Sequence, residues 1–213
     1  RGLVPAVTPI VRIPPNQGQS NWVAKQVLDI GVYGIIWPHV DTVEEAYNAV
    51  AAMRYPRVEG RPLREPFGRR GDAPQRAVTY WGITQQEYYA RADVWPLNPQ
   101  GELLCCLMIE SPEGIGNLPK MLAEVPGIGV IFTGEGDLSQ ELGYPRQYDH
   151  PEVRKGVEEI LAICKAHQVP NGWFHTTLDN VEQVIADGYR VLMAPSSRSY
   201  AVLQKGRSAA GRH

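Results

Sequence analysis

Two acidic side chains, Glu110 and Asp137, follow two apolar stretches of the chain closely. Glu110 comes directly after the run LLCCLMI at residues 103–109, and Asp137 ends the sequence Gly-Glu-Gly-Asp after the apolar run at residues 129–133. Continuous apolar runs of this length are typical of parallel strands that are buried on both faces. Because such sheets place their ligands at the carboxyl ends of the strands, we expect the two carboxylates to converge there.

Two converging carboxylates, with no lysine in the same loops, predict a site for a divalent cation with oxygen ligands. Mg²⁺ and Mn²⁺ accept few protein carboxylates and keep coordination positions for water and substrate, and Co²⁺ is a further candidate. A simpler interpretation stays open at this point. A glutamate after a strand is often a cap, and Gly-Glu-Gly-Asp is often only a turn.

Three further polar side chains lie at the ends of predicted strands: Arg12, His39 and His175. A fixed guanidinium supplies positive charge and hydrogen-bond donors to an oxygen on which negative charge develops. The simpler alternatives are a salt bridge at the rim of the sheet for Arg12 and a helix cap for His39.

The elements that position these side chains alternate along the chain. We predict strands at residues 6–13, 32–37, 103–109, 129–133, 169–174 and 189–194. Helices are predicted at residues 22–30, 42–53, 112–124, 151–167, 178–187 and 199–209. Six parallel strands, each followed by a helix, indicate an α/β fold, either an open doubly wound sheet or a closed (β/α)₈ barrel. A barrel needs eight strands, so six are two too few.

Residues 54–100 depart from this alternation. They are rich in proline and arginine and contain one amphipathic segment, at residues 84–90. A long segment without a strand is usually a functional excursion, so we interpret it as a loop excursion within one domain that spans residues 1–213.

Composition excludes several classes of protein. A net charge of -2 gives no electrostatic footprint for nucleic acid. No apolar run approaches the ~20 residues that a membrane span needs, and the first residues lack the architecture of a signal peptide. The three cysteines, Cys105, Cys106 and Cys164, suit a reducing compartment, so we expect a cytoplasmic protein.

The chain resembles the HpcH/HpaI family of metal-dependent pyruvate aldolases, which are relatives of the citrate lyase β subunit. The resembling motifs occur in family order and cover nearly the whole chain. They are VRIP (11–14), KQVLDIG (25–31), PHVDTVEEA (38–46), MRYP (53–56), RRG (69–71), IESPEGIGNL (109–118), GEGDLSQELGYP (134–145) and HPEV (150–153).

The resemblance implies a (β/α)₈ TIM-type barrel that binds a divalent metal and pyruvate at its C-terminal face. By motif position, Glu110 and Asp137 are the metal ligands and Arg12 meets the ketone or enolate oxygen. His39 matches a substrate-contacting histidine of one family member that acts on oxaloacetate.

The same resemblance implies that the backbone N–H groups of Gly136 and Asp137 bind the substrate carboxylate. Met108 stands at a substrate-contacting position where many members have glutamine, and Glu135 replaces a common proline. Met108 cannot make the polar substrate contact of a glutamine, and Glu135 adds negative charge beside the carboxylate site unless it binds the metal or points away.

The expected reaction is reversible retro-aldol cleavage of a 4-hydroxy-2-oxo acid to pyruvate and an aldehyde. The alternatives are decarboxylation of oxaloacetate and a non-catalytic barrel subunit that binds an acid. The resemblance also implies a homo-oligomer, a trimer or a hexamer.

The chain begins at what the resemblance makes the third strand of the barrel. The first two strands carry the Glu-His region with the general base of these aldolases. A barrel without two strands exposes long parallel edges, which natural proteins avoid. We therefore expect roughly 50–80 further N-terminal residues, from two βα units of about 30 residues each.

Overall fold

A computed structural model describes residues 7–15, 21–57, 65–195 and 197–212. Its strands are β1 (Ile10–Arg12), β2 (Gly34–Trp37), β3 (Val94–Trp95), β4 (Leu103–Ile109), β5 (Val130–Thr133), β6 (Asn171–Trp173) and β7 (Val191–Leu192). Its helices are α1 (Asn21–Asp29), α2 (Val43–Met53), α3 (Gln75–Trp81), α4 (Gln85–Arg91), α5 (Pro112–Glu124), α6 (Glu135–Glu141), α7 (Pro151–Ala166), α8 (Val181–Asp187) and α9 (Ala201–Ala209).

The strands form one parallel, curled sheet in the order β1-β2-β4-β5-β6-β7. The predicted alternation of parallel strands and helices is therefore confirmed. The bounds of β4 and α5 agree with the sequence prediction, whereas the other predicted strands are shorter at their ends. Pairing of β1 starts at Ile10, as the preceding Pro9 indicates, and Ala6 lies outside the described residues.

The helix starts follow the expected capping chemistry. Thr42 caps α2 in a capping box with Glu45, and Ser111 caps α5 by accepting a hydrogen bond from the Gly114 N–H group. His150 caps α7. These caps fix where each helix leaves the loop that follows its strand.

Two parts of the chain differ from the prediction. The segment at 54–100 contains α3, α4 and the short strand β3, so the expectation of a segment without a strand is wrong. β3 has two residues, too few to show a periodic pattern, and it pairs with Leu103 and Leu104 of β4. The sequence Gly-Glu-Gly-Asp is not a simple turn, because α6 starts at Glu135.

Side chains of the central strands divide between two faces, as the period of two requires. Ile35, Leu107 and Ile131 pack with the helices in the main core. The opposite face, here called the inner face, carries a second buried cluster made only of strand residues: Ile36, Cys106, Met108, Val130 and Phe132. Cys105 and Cys106 lie in different clusters, and all three cysteines are buried and unpaired, as expected of core residues.

Among the helices of the described residues, none combines the length and apolar character that crossing a membrane requires.

Candidate active site

Glu110 lies at the carboxyl end of β4, on the inner face. Alternation along the strand places it on the same side as Cys106 and Met108. Ile109 is paired with Thr133, so the next residues, Glu110 and Gly134, lie side by side directly after the ends of β4 and β5. Only 1% of Glu110 is exposed, so the fold holds a carboxyl group inside the mouth of the curled sheet.

Gly134 allows this position for Glu110. A Cβ atom at residue 134 would lie 2.3 Å from Cγ and 2.5 Å from Oε2 of Glu110. These atoms are anchored in the protein, so no larger residue fits without moving the carboxylate. The glycine that the motif placed after β5 is therefore required by the close approach of Glu110.

His39 reaches the same carboxylate through its backbone. Its N–H group donates to Oε1 of Glu110 at 3.0 Å, and its φ of 52° lies in the left-handed region that residues other than glycine rarely adopt. The Val40 N–H group donates to the Met108 carbonyl oxygen at 3.3 Å, which holds the loop along β4. The half-buried His39 side chain is thereby presented at the mouth of the sheet.

His39, Glu110 and Asp137 form a group that could hold a metal ion. Each offers one ligand atom, and the three atoms lie within 4.8 Å of one another. Carboxylate oxygens suit Mg²⁺ and Mn²⁺, and imidazole is a common metal ligand. The donor set therefore fits a divalent cation, and it brings together the two predicted ligands and a predicted substrate contact.

The electrostatics of Glu110 agree with that fit. Burial raises its pKa and the neighbouring Asp137 raises it further, while the N–H group and side chain of His39 act in the opposite direction. No lysine or arginine among the described residues forms an ion pair with Glu110. A cation at this group would oppose the repulsion between the two carboxylates.

Two other predicted residues, Arg12 and Met108, lie on the same inner face of the sheet. Arg12 is exposed at the end of β1, and its pairing with Ile36 places it on the inner face. Met108 is 3% exposed and packs in the inner cluster, two residues before Glu110. Its buried position is that of a core side chain beneath the site.

Gly136 and Asp137 lie in the first turn of α6. The first hydrogen bond of that helix runs from the Leu138 N–H group to the Gly134 carbonyl at 3.0 Å. Gly134, the N-cap, provides no side-chain hydrogen bond. The N–H groups of Gly136 and Asp137 precede the helical ladder and have no partner within it.

The sequence did not predict that Glu135 and His175 form a pair beside the group of His39, Glu110 and Asp137. Glu135 is buried, with a pKa raised to about 7 by burial and by the charge of Asp149. Nε2 of His175 lies 3.4 Å from its Oε2. The Glu135 carboxylate, which replaces a common proline of the motif, therefore faces His175 after the end of β6. The two residues are distant in sequence and become neighbours only in the folded sheet.

Three residues fix the loops that carry the ligands. Ser111 donates a hydrogen bond to the Asp41 carboxylate, and the Asn117 side chain donates to the Asp41 carbonyl at 2.8 Å. The loop after β2 is thereby tied to the start of α5. His39 and Glu110, on either side of this connection, are held in fixed relation.

Comparison with known proteins gives a consistent result. The family model described as HpcH/HpaI aldolase/citrate lyase matches residues 3–197. A 5-keto-4-deoxy-D-glucarate aldolase of Citrobacter koseri is 35% identical over 167 residues, which are 78% of this chain and 57% of that protein. The chain spans little more than half the length of the curated relatives that it matches.

Solved structures give the same fold. An HpcH/HpaI aldolase/citrate lyase family protein of Burkholderia cenocepacia superposes with a TM-score of 0.73 at 26% identity, covering 96% of this chain and 72% of the other. Macrophomate synthase superposes with a TM-score of 0.64 at 26% identity, covering 95% of this chain and 64% of the other.

Proposed function

The chain belongs to the HpcH/HpaI aldolase/citrate lyase family, and we propose that its protein is a metal-dependent aldolase that cleaves a 4-hydroxy-2-oxo acid to pyruvate and an aldehyde. The observation that carries this proposal is the placement of Glu110, Asp137 and His39. A buried carboxylate, a second carboxylate and an imidazole share one position at the carboxyl end of a parallel sheet. The aldolase names of the curated relatives support the same reaction class.

Glu110 and Asp137 would hold a Mg²⁺ or Mn²⁺ ion, with His39 beside them. The bound ion would act as a Lewis acid that withdraws charge from the ketone oxygen of a 2-oxo acid. Gly134 keeps the Glu110 carboxylate at this position, and the Asp41–Ser111–Asn117 connection keeps His39 over it.

The remaining substrate contacts follow from the same placement. The N–H groups of Gly136 and Asp137 lie in the first turn of α6, where they can donate hydrogen bonds to the substrate carboxylate. Arg12, on the inner face of β1, can offer its guanidinium to the enolate oxygen. His39 contacts the substrate, and Met108 supports the floor of the site from the inner cluster.

The curled sheet is, on this proposal, part of a (β/α)₈ barrel. The matched structures of family members are longer than the chain, which covers 72% of one and 64% of the other. The same proposal includes a homo-oligomer, a trimer or a hexamer, as the resemblance to the family implies.

The test is pyruvate release by the full-length protein from a 4-hydroxy-2-oxo acid and, separately, from oxaloacetate. With Mg²⁺ or Mn²⁺ we expect release from the hydroxy acid, loss of it with a chelator, and recovery when metal returns. Release from oxaloacetate alone would indicate the decarboxylase instead. A rate that survives complete chelation, or no release from either acid, would refute the proposal. In the same assay Glu110→Gln should release far less pyruvate, whereas its matched control Glu113→Gln, an exposed neighbour in α5, should act as wild type does.

A further inference from the structure

A cavity of about 460 Å³ lies at the amino end of β4, opposite to the candidate active site, and we call it the amino-end cavity. Asp93, one of its lining residues, accepts a hydrogen bond at 3.0 Å through its carbonyl oxygen from Leu103, where β4 begins. Because the seven residues of β4 rise by about 3.3 Å each, the cavity lies roughly 20 Å from Glu110. Its volume falls within the range of roughly 300–1,000 Å³ that is usual for small-molecule sites.

Two tyrosine rings form the apolar wall of the amino-end cavity. The rings of Tyr55 and Tyr89 meet edge to face with their centroids 5.4 Å apart, and Pro56 and Ala92 complete the apolar lining. The buried guanidinium of Arg70 lies 4.6 Å from the centroid of the Tyr55 ring and holds that ring from behind. Aromatic walls of this kind favour a ligand with an aromatic ring of its own, which can pack edge to face or offset against them.

Arg57 gives the cavity a positive charge that the fold does not need. The Asp93 carboxylate is already paired with Arg54, whose Nε lies 2.6 Å from Oδ1 and whose Nη2 lies 3.2 Å from Oδ2. Nη2 of Arg57 reaches the same carboxylate at 2.7 Å, so two guanidinium groups share one negative charge. The Arg57 side chain is 34% exposed and has no second carboxylate partner among the described residues. Its remaining N–H groups can therefore bind a carboxylate of a ligand.

Asp72 gives the same cavity a negative charge. Its Oδ1 accepts a hydrogen bond at 2.7 Å from the Tyr89 hydroxyl, which in turn accepts one at 2.6 Å from Nε2 of Gln85. The carboxylate is thereby held beside the Tyr89 ring. In the part of the chain that the structure describes, Asp72 forms no ion pair, with Arg57 or with any other basic residue. The amino-end cavity therefore presents a positive group, a negative group and an aromatic wall that remain available to a ligand.

We propose that the amino-end cavity binds a free aromatic α-amino acid. The ligand carboxylate pairs with Arg57, its ammonium group pairs with Asp72, and its ring packs against Tyr55 and Tyr89. A zwitterion with an aromatic side chain matches all three features of the cavity, whereas a simple anion leaves Asp72 unpaired and a simple cation leaves Arg57 unpaired. The site is separate from the proposed reaction, because a ligand roughly 20 Å from Glu110 cannot contact the reacting atoms.

Four probes test the three contacts separately. L-phenylalanine carries all three groups, 3-phenylpropanoate lacks the ammonium group, phenethylamine lacks the carboxylate, and L-alanine lacks the ring. The measured quantity is the dissociation constant of each probe for the full-length protein with Mg²⁺, from ligand-observed NMR titration. We expect L-phenylalanine to bind with a dissociation constant below about 1 mM. Each of the other probes should bind on the order of tenfold more weakly, because one contact is lost.

Two substitutions should act on different probes. Arg57→Gln should weaken the binding of L-phenylalanine and 3-phenylpropanoate on the order of tenfold, the effect of losing a hydrogen bond to a charged group, and should leave phenethylamine unchanged. Asp72→Asn should weaken L-phenylalanine and phenethylamine and leave 3-phenylpropanoate unchanged. Arg154→Gln, an exposed arginine of α7, should change none of them. The probe that each variant still binds like wild type shows that the variant is folded.

A repeat of the titration with a chelator separates this cavity from the candidate metal site, where the carboxylate and amine of an amino acid could also bind. We expect the same affinity for L-phenylalanine with Mg²⁺ and without it, and a loss of binding on chelation would overturn the inference. No binding of L-phenylalanine, equal binding of all four probes, or variants that weaken every probe alike would also overturn it. None of these readouts involves pyruvate, so failure of the proposed aldolase reaction would leave the result unchanged.

Discussion

Two buried carboxylates lie near opposite ends of β4, and their pKa values are shifted in opposite directions. The backbone oxygen of Asp93 accepts a hydrogen bond at 3.0 Å from Leu103, the first residue of β4, and Glu110 follows the last. Asp93 is 3% exposed and Glu110 1% exposed. Despite equal burial, the pKa of Asp93 lies below its ordinary value and that of Glu110 above it.

The negative charge of Asp93 is compensated by two arginines of the same chain. Nε of Arg54 lies 2.6 Å from Oδ1, and Nη2 of Arg57 lies 2.7 Å from Oδ2. Burial by itself would raise the pKa of Asp93, but the hydrogen bonds and charges of the two arginines outweigh it. Arg54 is itself 1% exposed, so this is an internal ion pair that fastens the start of the 54–100 segment to β3.

Among the residues that the structure describes, Glu110 has a backbone N–H group and an imidazole near it, together with a second carboxylate, that of Asp137. The contrast with Asp93 shows that burial alone does not decide the direction in which the pKa of a carboxyl group shifts. Ion pairing within the chain makes one residue structural. On the proposed function, the positive charge for the other comes from a metal ion, which can also act on substrate.

The largest effect should come from Glu110→Gln. We expect kcat for pyruvate release to fall by at least on the order of 10³-fold, above the usual loss for one electrostatic donor, because a metal ligand is removed. Steady-state kinetics of the full-length protein measure this. Asp93→Asn, assayed where it is folded, should stay within about threefold of wild type; equal losses in both variants would contradict the distinction between the two carboxylates.

Arg12→Lys should have the next largest effect. Unlike Arg54, Arg12 is exposed and has no carboxylate partner among the described residues, so we assign its charge to the substrate rather than to the fold. An ammonium keeps the charge but not the planar fork, and we expect kcat to fall on the order of 10²–10³-fold with little change in melting temperature. Near-wild-type kinetics would remove Arg12 from the site.

Asp93→Asn should act on stability instead. Asp93→Asn removes the carboxylate charge that faces the buried Arg54, and breaking a buried ion pair in this way typically costs about 3–5 kcal/mol. Denaturant unfolding measures the change in the free energy of unfolding. The exposed Glu113→Gln, as control, should stay within about 0.5 kcal/mol. A change for Asp93→Asn as small as that of the control would show that the ion pair contributes little.

The pH dependence should separate the two kinds of carboxylate by sign. The raised pKa values of Glu110 and Glu135 mean that the metal-free fold binds protons more tightly than the unfolded chain, so its stability increases as pH falls from about 8 to about 5. The lowered pKa of Asp93 acts oppositely, and its contribution is lost below about pH 4, as pH falls through the folded value.

The expected gain between pH 8 and pH 5 is about 1–3 kcal/mol, and Glu135→Gln should reduce it. Thermal unfolding of the chelated protein across this range provides the measurement. Stability of the metal-free protein that increases with pH over the same interval would have the wrong sign.

Much of the site could be predicted from the sequence, because the strand and the helix that position Glu110 have strong sequence patterns. β4 and α5 have an uninterrupted apolar run, a serine cap and a proline in the first turn, so their bounds and the position of Glu110 follow. The period of two then assigns Glu110 to the face of Met108. Gly134 marks the close approach that the structure explains by the Glu110 side chain.

The remainder depends on contacts between distant parts of the chain. The hydrogen bond from the His39 N–H group to Glu110 occurs with His39 in the left-handed backbone conformation, which no sequence pattern predicts. Arg54 meets Asp93 39 positions away, inside a segment without periodicity. Glu135 and His175 become neighbours only when α6 and the end of β6 lie side by side.

Binding of Mn²⁺ to the full-length protein tests the central assignment most directly. Isothermal titration of wild type, Glu110→Gln and Asp93→Asn compares the two buried carboxylates without any substrate or turnover. The assignment predicts that Glu110→Gln weakens Mn²⁺ binding by more than about 100-fold, the upper range for losing a residue that only supports a ligand, while Asp93→Asn binds as wild type does. Equal Mn²⁺ affinity in wild type and Glu110→Gln would contradict it.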